Sequence, residues 1–282
     1  MSYPFGIHPD ISNEDYHALK EIEGLPTVSS SFIKAWYKTS PLHATTALVS
    51  PKQSVAFDFG TAVHGWALEG VVPIKGTERR SGKAWQDAVA EAKLLDTVAL
   101  NHADYEKVEK CVEALYNNPH IKLLLEHKKR VCEASVFVKH EKLCLKARPD
   151  LYIQSKGIIA DIKTTQSANP YEFEQRTMDK FGYTIQAAFY WKVMQLAQLP
   201  MKRFLFINVE KEPPFATSIV EVGEKLIEYG TTVVDNVLAE IQEAEKQQDN
   251  VLAEIQEAEK QQDYSTGWPP VHVANDLPGW IT

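Results

Sequence analysis

Two aspartates and a lysine are spaced so that they could act together on a phosphodiester bond. Asp150 ends the segment Lys146–Asp150, and Asp161 and Lys163 follow after a turn-forming stretch. Residues two apart on a strand are about 6.6 Å apart and point to one face, so Asp161 and Lys163 can converge. Carboxylate oxygens suit Mg²⁺, which lowers the pKa of a bound water and neutralises charge on a phosphate. A nearby lysine can orient that water and stabilise the transition state.

An ordinary charged β-hairpin is the alternative interpretation. An Asp and a Lys two residues apart often form a solvated ion pair on the surface of a sheet. The spacing of Asp161 and Lys163 alone favours that interpretation. The Pro149–Asp150 pair on the preceding strand favours the metal site instead.

Period-two patterns place these residues on adjacent strands. Apolar and polar residues alternate from 142 to 154, which predicts one continuous strand with Asp150 on its polar face. Glu133 opens an earlier strand and is either a further carboxylate of the site or an acid on the strand edge. The predicted strands lie at 131–139, 142–154, 157–164, 203–210 and 215–221, and the predicted helices at 57–70, 82–95, 102–126 and 180–197.

Several segments together resemble the PD-(D/E)XK nucleases, in the branch that contains the RecB and RecE nuclease domains. Asp150 and the Asp161–Lys163 strand resemble the core motif, with Asp where many members have Glu. Gly60–Glu69 resembles the helix with a metal-proximal histidine, here His64, and Gln186–Tyr190 resembles the Gln-x-x-x-Tyr helix. Their order and intervals agree over residues 55–195. The likeness to the RecE nuclease domain, also called exonuclease VIII, and to its phage relatives covers most of residues 8–225.

The resemblance implies a restriction-endonuclease-like α/β core, with a mixed central sheet flanked by helices. Added N-terminal helices and a long acidic C-terminal helix would elaborate this core. The resemblance also implies a Mg²⁺ site, with Mn²⁺ as a substitute ion. Lys163 would position the attacking water, and Glu133 would join Asp150 and Asp161 as a catalytic carboxylate. The implied metal ligands are His64, Asp150, Asp161 and the backbone carbonyl of Ile162.

Further residues are candidates for contact with DNA. Gln186 and Tyr190 share one helical face. They either contact DNA near the scissile phosphate, which we favour, or satisfy buried polar groups under the sheet. The loop at Gly76–Gly82 carries cations that could grip the phosphate backbone. It lacks the spacing and the Ser or Thr of an ATP-binding phosphate loop, so we expect no ATP. The DNA-binding candidates are Arg79, Arg80, Lys83, Arg148, Gln186 and Tyr190.

The activity implied by the resemblance is a Mg²⁺-dependent, ATP-independent exonuclease that digests double-stranded DNA from its ends in the 5′-to-3′ direction. Relatives leave 3′ single strands for an annealing protein of the RecT type. They also enclose DNA in a ring, which implies a homo-oligomer such as a tetramer. The implied setting is phage or prophage recombination in the cytoplasm of a bacterial host cell. Two alternatives stay open: another nuclease of this fold (an endonuclease or a single-strand exonuclease), and a catalytically silent DNA-binding module.

The negative charge of the chain is concentrated in one segment. A net charge of −8 is unusual for a DNA-binding protein. Residues 236–249 recur without change at 250–263, and each copy has four acids and one lysine. The rest of the chain is therefore close to neutral. The repeat contains no Gly or Pro and predicts an exposed helix without a catalytic role.

Composition is compatible with one elaborated domain. The 282 residues are 44% hydrophobic and can bury a substantial core. No apolar run approaches the roughly eighteen residues of a membrane span. Three unclustered cysteines predict reduced thiols in place of disulfides or a zinc site. We expect an N-terminal helical elaboration at 1–55, a nuclease core at 56–225, the repeat helix at 226–264 and a tail at 265–282.

Overall fold

The computed structural model describes residues 3–49 and 55–261. Within the described residues, the chain up to Val237 forms one compact unit and the chain from Leu238 onward a second. The predicted N-terminal elaboration and the predicted core therefore lie within one unit. The predicted tail at 265–282 lies outside the described residues.

Short strands and helices form the first described segment. Ser29 caps the helix that follows it, because its hydroxyl oxygen accepts a hydrogen bond from the Phe32 N–H at 3.4 Å. In chain order the elements are β1 (Gly6–His8), α1 (Asn13–Ala18), β2 (Glu21–Ile22), β3 (Leu25–Ser29), α2 (Ser30–Lys38) and α3 (Pro41–Val49).

A mainly helical segment follows. Its first helix ends at His64 and continues as a π-helical turn, Gly65–Glu69. Single π turns inside helices often mark functional sites. The elements are α4 (Val55–His64), β4 (Ile74–Lys75), α5 (Lys83–Leu94), β5 (Ala99–Leu100), α6 (His102–Asn117) and α7 (Pro119–Leu125).

The remaining chain carries the central strands and their crossover helices. A second π-helical turn, Phe173–Thr177, lies between two of the short helices. The elements are β6 (Val131–Cys132), β7 (Ser135–His140), β8 (Leu143–Ala147), β9 (Leu151–Ile153), β10 (Ile158–Thr165), α8 (Pro170–Glu172), α9 (Met178–Phe181), α10 (Tyr183–Leu196), β11 (Arg203–Glu210), β12 (Thr217–Glu221) and α11 (Glu224–Gln261).

Two mixed five-stranded sheets share one bent hairpin. Their strand orders are β1-β7-β8-β3-β2 and β12-β11-β10-β9-β6. The predicted continuous strands at 131–139 and 142–154 are wrong, because each is interrupted and its two halves belong to different sheets. The pairing keeps one register across the break: Val131 lies opposite Tyr152, and Val136 lies opposite Ala147. The local alternation of side chains does not reveal a bend at which both strands break together.

The predicted polar face of the 142–154 strand is also wrong. Every residue of β8, including Cys144 and Lys146, is buried. The Lys146 ammonium donates hydrogen bonds to the carbonyl oxygens of Tyr16 and Leu19 at 2.9 and 2.7 Å, where α1 ends. A polar residue in the sequence pattern thus points into the protein, because the N-terminal segment supplies its acceptors.

The N-terminal region also differs from the prediction of helices and loops alone. β1 pairs antiparallel with β7, and β3 pairs parallel with β8. These strands have only three and five residues. A period-two pattern is too short to recognise at that length. The predicted elaboration therefore extends the sheet of the core.

The main core lies between the second sheet and the helices α4, α6 and α7. β10 and β11 are parallel and buried on both faces, as parallel pairs generally are. Ile162 and Ile207 contribute to one face of the sheet, and Val63 and Leu115 contribute from the helices. This packing fixes the position of β10, which carries Asp161 and Lys163, relative to the helix that carries His64.

The C-terminal helix α11 contains the first copy of the repeat and most of the second. The prediction that the repeat is exposed is wrong for the first copy, since Leu238 and Ile241 are buried. Residues 262–282, which include the end of the second copy, lie outside the described residues. Among the described helices, none is long and apolar enough to cross a membrane.

We predict that Gly230→Ala destabilises the fold although alanine favours a helix. A Cβ atom at Gly230 would lie 2.7 Å from Ala188 Cβ and 2.8 Å from the Thr184 carbonyl oxygen. Overpacking of this kind costs about 1–3 kcal/mol, which exceeds a helix-propensity gain of about 1 kcal/mol. Urea unfolding should show the loss. In the control Gly223→Ala, the new Cβ meets nothing within 4 Å, and equal stability losses in both variants would contradict the prediction.

Candidate active site

The bend in the hairpin brings two carboxylates together. The backbone N–H of Glu133 donates a hydrogen bond to the carbonyl oxygen of Asp150 at 3.2 Å. Glu133 has a φ of 52°, in the left-handed region that non-glycine residues rarely adopt. Pro149, which precedes Asp150, has no N–H to donate to a strand partner. The regular ladder therefore stops here, and both acids lie at the junction of the two sheets.

Asp150 is tied to the adjacent strand. Its Oδ2 accepts a hydrogen bond from the Ile162 N–H at 2.7 Å, and the residue is 8% exposed. The same oxygen lies 3.3 Å from Nδ1 of His64. Asp150 and His64, two of the implied metal ligands, therefore lie side by side, and their role as ligands stays a prediction.

The orientation of the His64 ring places a nitrogen lone pair opposite Asp150. Nε2 lies 2.8 Å from the carbonyl oxygen of Ile162, which can only accept, so Nε2 carries the hydrogen. Burial lowers the pKa of His64 and favours the neutral ring, whose Nδ1 lone pair then faces Asp150 Oδ2. Burial raises the pKa of Asp150, and the negative charge of Asp161 raises it further. Two electron-pair donors that face each other need a proton or a cation between them.

Glu133 completes a cluster of donors. One donor atom each of His64, Glu133 and Asp150 lies within 4.8 Å of the others. Burial raises the pKa of Glu133 to about 7, and Asp150 adds to that rise. Arg148 opposes it, because its Nε donates to Glu133 Oε2 at 2.9 Å. Of the two interpretations of Glu133 in the sequence, the geometry favours the site carboxylate.

Asp161 and Lys163 form an ion pair on β10, as their spacing predicts. Gln186 Nε2 donates to Asp161 Oδ1 at 2.6 Å, which holds that carboxylate from α10. Burial lowers the pKa of Lys163, but the charges of Asp161 and Asp150 outweigh burial, so the pKa rises overall. Lys163 is therefore a cation at neutral pH.

These donors fit a divalent metal ion. Carboxylate and carbonyl oxygens suit Mg²⁺ and Mn²⁺, and an imidazole nitrogen is compatible with Mn²⁺. Glu133 and Asp150 belong to the donor cluster with His64, whereas Asp161, an implied metal ligand, is not part of that cluster. Side-chain cations pair with two of the three carboxylates: Arg148 with Glu133, and Lys163 with Asp161. Among the described residues, Asp150 forms no ion pair with a Lys or Arg side chain. Its Oδ2 accepts from the Ile162 N–H and lies beside the neutral His64 ring, so a divalent cation would balance its charge.

Three of the predicted DNA-binding residues are occupied by protein contacts. Tyr190 is 7% exposed, and its hydroxyl donates to the Arg148 carbonyl at 3.0 Å. Gln186 is 6% exposed and bonds Asp161. The guanidinium of Arg148 donates to Glu133, to Ser135 Oγ at 2.9 Å and to the Ser12 carbonyl at 3.3 Å. Of the two interpretations of Gln186 and Tyr190, these contacts favour the support of buried polar groups. Their contact with DNA stays a prediction.

The predicted DNA loop has a structural arginine at its centre. Arg80 pairs with Asp58 at 3.2 Å and with Asp104 at 2.9 Å, which ties the loop to α4 and α6. Arg79 and Lys83 are exposed. Their proposed contact with the phosphate backbone stays a prediction.

The sequence interpretation missed two residues beside Lys163. The Lys163 ammonium lies 4.8 Å from the ring centroid of Tyr183, and the Lys34 ammonium lies 5.7 Å from the same centroid. Tyr183 could have been found, because it lies one turn before Gln186 on α10. Lys34 could not, since α2 is far from the other site residues in sequence and carries no motif.

The fold and the site define the class of this protein. A mixed sheet with Asp150 at its bend and Asp161-x-Lys163 on the next strand is an α/β fold of the PD-(D/E)XK type. The chain belongs to the family described as PDDEXK-like domain of unknown function (DUF3799), whose model matches residues 29–261.

Several solved structures match the chain at low sequence identity. A structure from Eubacterium rectale, provisionally described as an exonuclease, has a TM-score of 0.60 at 16% identity and covers 83% of this chain and 85% of its own. The alkaline exonuclease LHK-Exo from Laribacter hongkongensis has a TM-score of 0.35 at 17% identity, with 67% and 98% covered. A phage related exonuclease from Haemophilus somnus 129PT has a TM-score of 0.29 at 13% identity, with 74% and 95% covered. No curated protein matches the chain.

We predict that Asp150→Asn stabilises the metal-free protein at pH 8, because burial and the charge of Asp161 raise the pKa of Asp150. The folded-state pKa values of Asp150 and Glu133 lie above their ordinary values of 3.8 and 4.5. For both groups protonation therefore stabilises the folded wild type at low pH, and this contribution is lost as pH rises. For Glu133 it is present below about pH 4.5 and is lost as pH rises through about 7. Removing the Asp150 charge removes the loss due to Asp150 and also lessens the rise in the pKa of Glu133, to which that charge contributes.

Thermal unfolding in EDTA at pH 5 and pH 8 checks this. The gain should be large at pH 8 and small at pH 5, and Mn²⁺ should stabilise the wild type but not the variant. Asp87→Asn, at an exposed position, is the control. An equal effect of Asp150→Asn at both pH values would contradict the assignment.

Proposed function

We propose that the protein is a Mg²⁺-dependent, ATP-independent exonuclease that digests double-stranded DNA from its ends in the 5′-to-3′ direction. One observation carries the proposal: His64, Glu133 and Asp150 converge within 4.8 Å beside the Asp161–Lys163 ion pair. This arrangement combines oxygen ligands for a metal with a cation for a phosphate. Metal-assisted hydrolysis of a phosphodiester requires both.

Each side chain of the site has a distinct role in the proposed reaction. His64, Asp150, Asp161 and the Ile162 carbonyl would hold a Mg²⁺ or Mn²⁺ ion. The ion would neutralise charge on the phosphate and lower the pKa of a bound water. Lys163 orients the attacking water and offsets the negative charge that develops on the phosphate oxygens. Gln186 fixes one oxygen of Asp161, and Arg148 fixes one oxygen of Glu133.

Proton balance follows from these positions. The water oxygen forms the new bond to phosphorus as the bond to the leaving sugar oxygen breaks. The water gives up a proton, and the leaving alkoxide takes one. Glu133, whose pKa lies at about 7, can accept or return a proton near neutral pH.

The finer parts of the proposal rest on the resemblance of the motifs to the RecE group. They are the 5′-to-3′ polarity, the production of 3′ single strands for an annealing protein of the RecT type, and a homo-oligomer such as a tetramer. The cytoplasm of a bacterial host cell is the proposed setting. Membership in the PDDEXK-like family supports the nuclease chemistry, and the family match covers the residues of the site.

We predict that Asp161→Asn lowers Mg²⁺-dependent digestion of linear duplex DNA by about a thousandfold, because it removes a charge that holds both the metal and Lys163. The asparagine keeps the size of the side chain and its contact with Gln186. Asp10→Asn, at an exposed position, should digest DNA at the wild-type rate.

Digestion of different DNA substrates distinguishes the types of nuclease that share this fold. Duplexes labelled at the 5′ end should release the label first, 3′ labels should persist longer, and closed circular DNA should stay intact. Cleavage of the circle would identify an endonuclease instead. Absence of any Mg²⁺-dependent release by the folded wild type would reject the proposed function and leave a silent DNA-binding module.

A further inference from the structure

Lys34 points toward the site from the N-terminal segment, outside the metal-binding motifs. It lies on α2 and is half-buried. Its ammonium and that of Lys163 both contact the ring of Tyr183, at 5.7 and 4.8 Å from the centroid. The ring thus places a second cation next to the one on β10.

The position of Lys34 is fixed by packing. Gly182, between α9 and α10, has a φ of 65°, and a Cβ atom there would lie 3.0 Å from Lys34 Cδ. The missing side chain of the glycine leaves space for the aliphatic part of Lys34. The charged end is thereby carried past Gly182 to Tyr183.

Lys34 has no counter-charge of its own. Within residues 3–49 and 55–261, its ammonium makes no ion pair and no hydrogen bond with the protein. Its pKa is lowered to about 8, mainly by burial and also by the charge of Lys163, while Asp161 partly compensates. Asp161 is already paired with Lys163. An unpaired, half-buried ammonium is costly for the folded state, which argues for an anion that binds there.

We propose that Lys34 binds a phosphate of the DNA strand adjacent to the phosphate that is cleaved. The site would then hold two neighbouring phosphates, one at the metal ligands and Lys163, and one at Lys34. This inference rests on the proposed function and extends it. It makes the N-terminal segment part of the substrate site through a phosphodiester or terminal phosphate anion.

The variant Lys34→Met separates binding from folding. Methionine retains the length and the packing against Gly182 but removes the charge. Duplex binding measured with Ca²⁺ in place of Mg²⁺ should weaken about tenfold. The slope of log K against log salt should fall by about 0.9, the value for one lost phosphate contact. Thermal stability should stay equal or rise, because an unpaired buried charge is removed.

Two further variants sharpen the comparison. Lys34→Arg keeps the charge and should retain the wild-type salt slope. Lys38→Met removes a lysine one turn later on α2 that is paired with Asp179 at 3.4 Å, and should bind like the wild type. Duplexes with a 5′-phosphate and with a 5′-hydroxyl identify the phosphate. Loss on both indicates an internal phosphodiester, and loss only on the phosphorylated end indicates the terminal group.

Several outcomes would overturn the inference. Lys34→Met with wild-type affinity and salt slope, in a protein that digests DNA, rejects the role of Lys34 and leaves the proposed function standing. Weaker binding with an unchanged salt slope assigns Lys34 to structure alone. A folded wild type that neither binds nor cleaves duplex DNA rejects both proposals together.

Discussion

The hydrogen bond between the Glu133 N–H and the Asp150 carbonyl is the constraint on which the site depends. It holds two strands together at the point where both leave one sheet for the other. Because the same register continues on either side, the two acids stay opposite each other through the bend. The bend then directs Asp150 toward the Ile162 N–H and His64, on a different strand and a helix. Without the bend, the Asp150 side chain would follow the alternation of side chains along β8.

Some charged groups of the site have an ionic partner in the protein, and others do not. Arg148 and Lys163 each neutralise one carboxylate, and Gln186 supports Asp161 with a neutral amide. Asp150 and Lys34 remain without ionic partners among the described residues, apart from the His64 ring beside Asp150. In a low-dielectric interior such groups are held at a cost in free energy. A metal at the first and a phosphate at the second would remove that cost when substrate binds.

The sequence alone predicts the parts of the site whose residues lie close together in the chain. Asp161 and Lys163 converge because strand geometry places alternate residues on one face. The resemblance of the motifs to the nuclease family implies that His64 lies near Asp150. The sequence does not predict the interruption of the hairpin, because the residues of β8 have the pattern of a regular alternating strand. In the structure, the N-terminal segment buries the polar residues of that strand. Lys34 was beyond reach for a related reason. Its role depends on the packing of α2 against Gly182, a contact between residues distant in sequence.

The shared register across the bend limits how this chain can change length. An insertion in one arm, between Cys132 and Ser135 for example, would shift one strand by a residue against its partner. A shift of one residue turns every following side chain to the opposite face of its sheet. The two arms can therefore lengthen or shorten only together. We expect length variation to avoid the arms of this hairpin and to collect in its end loop, at Glu141–Lys142, beyond the terminal pair of His140 and Leu143.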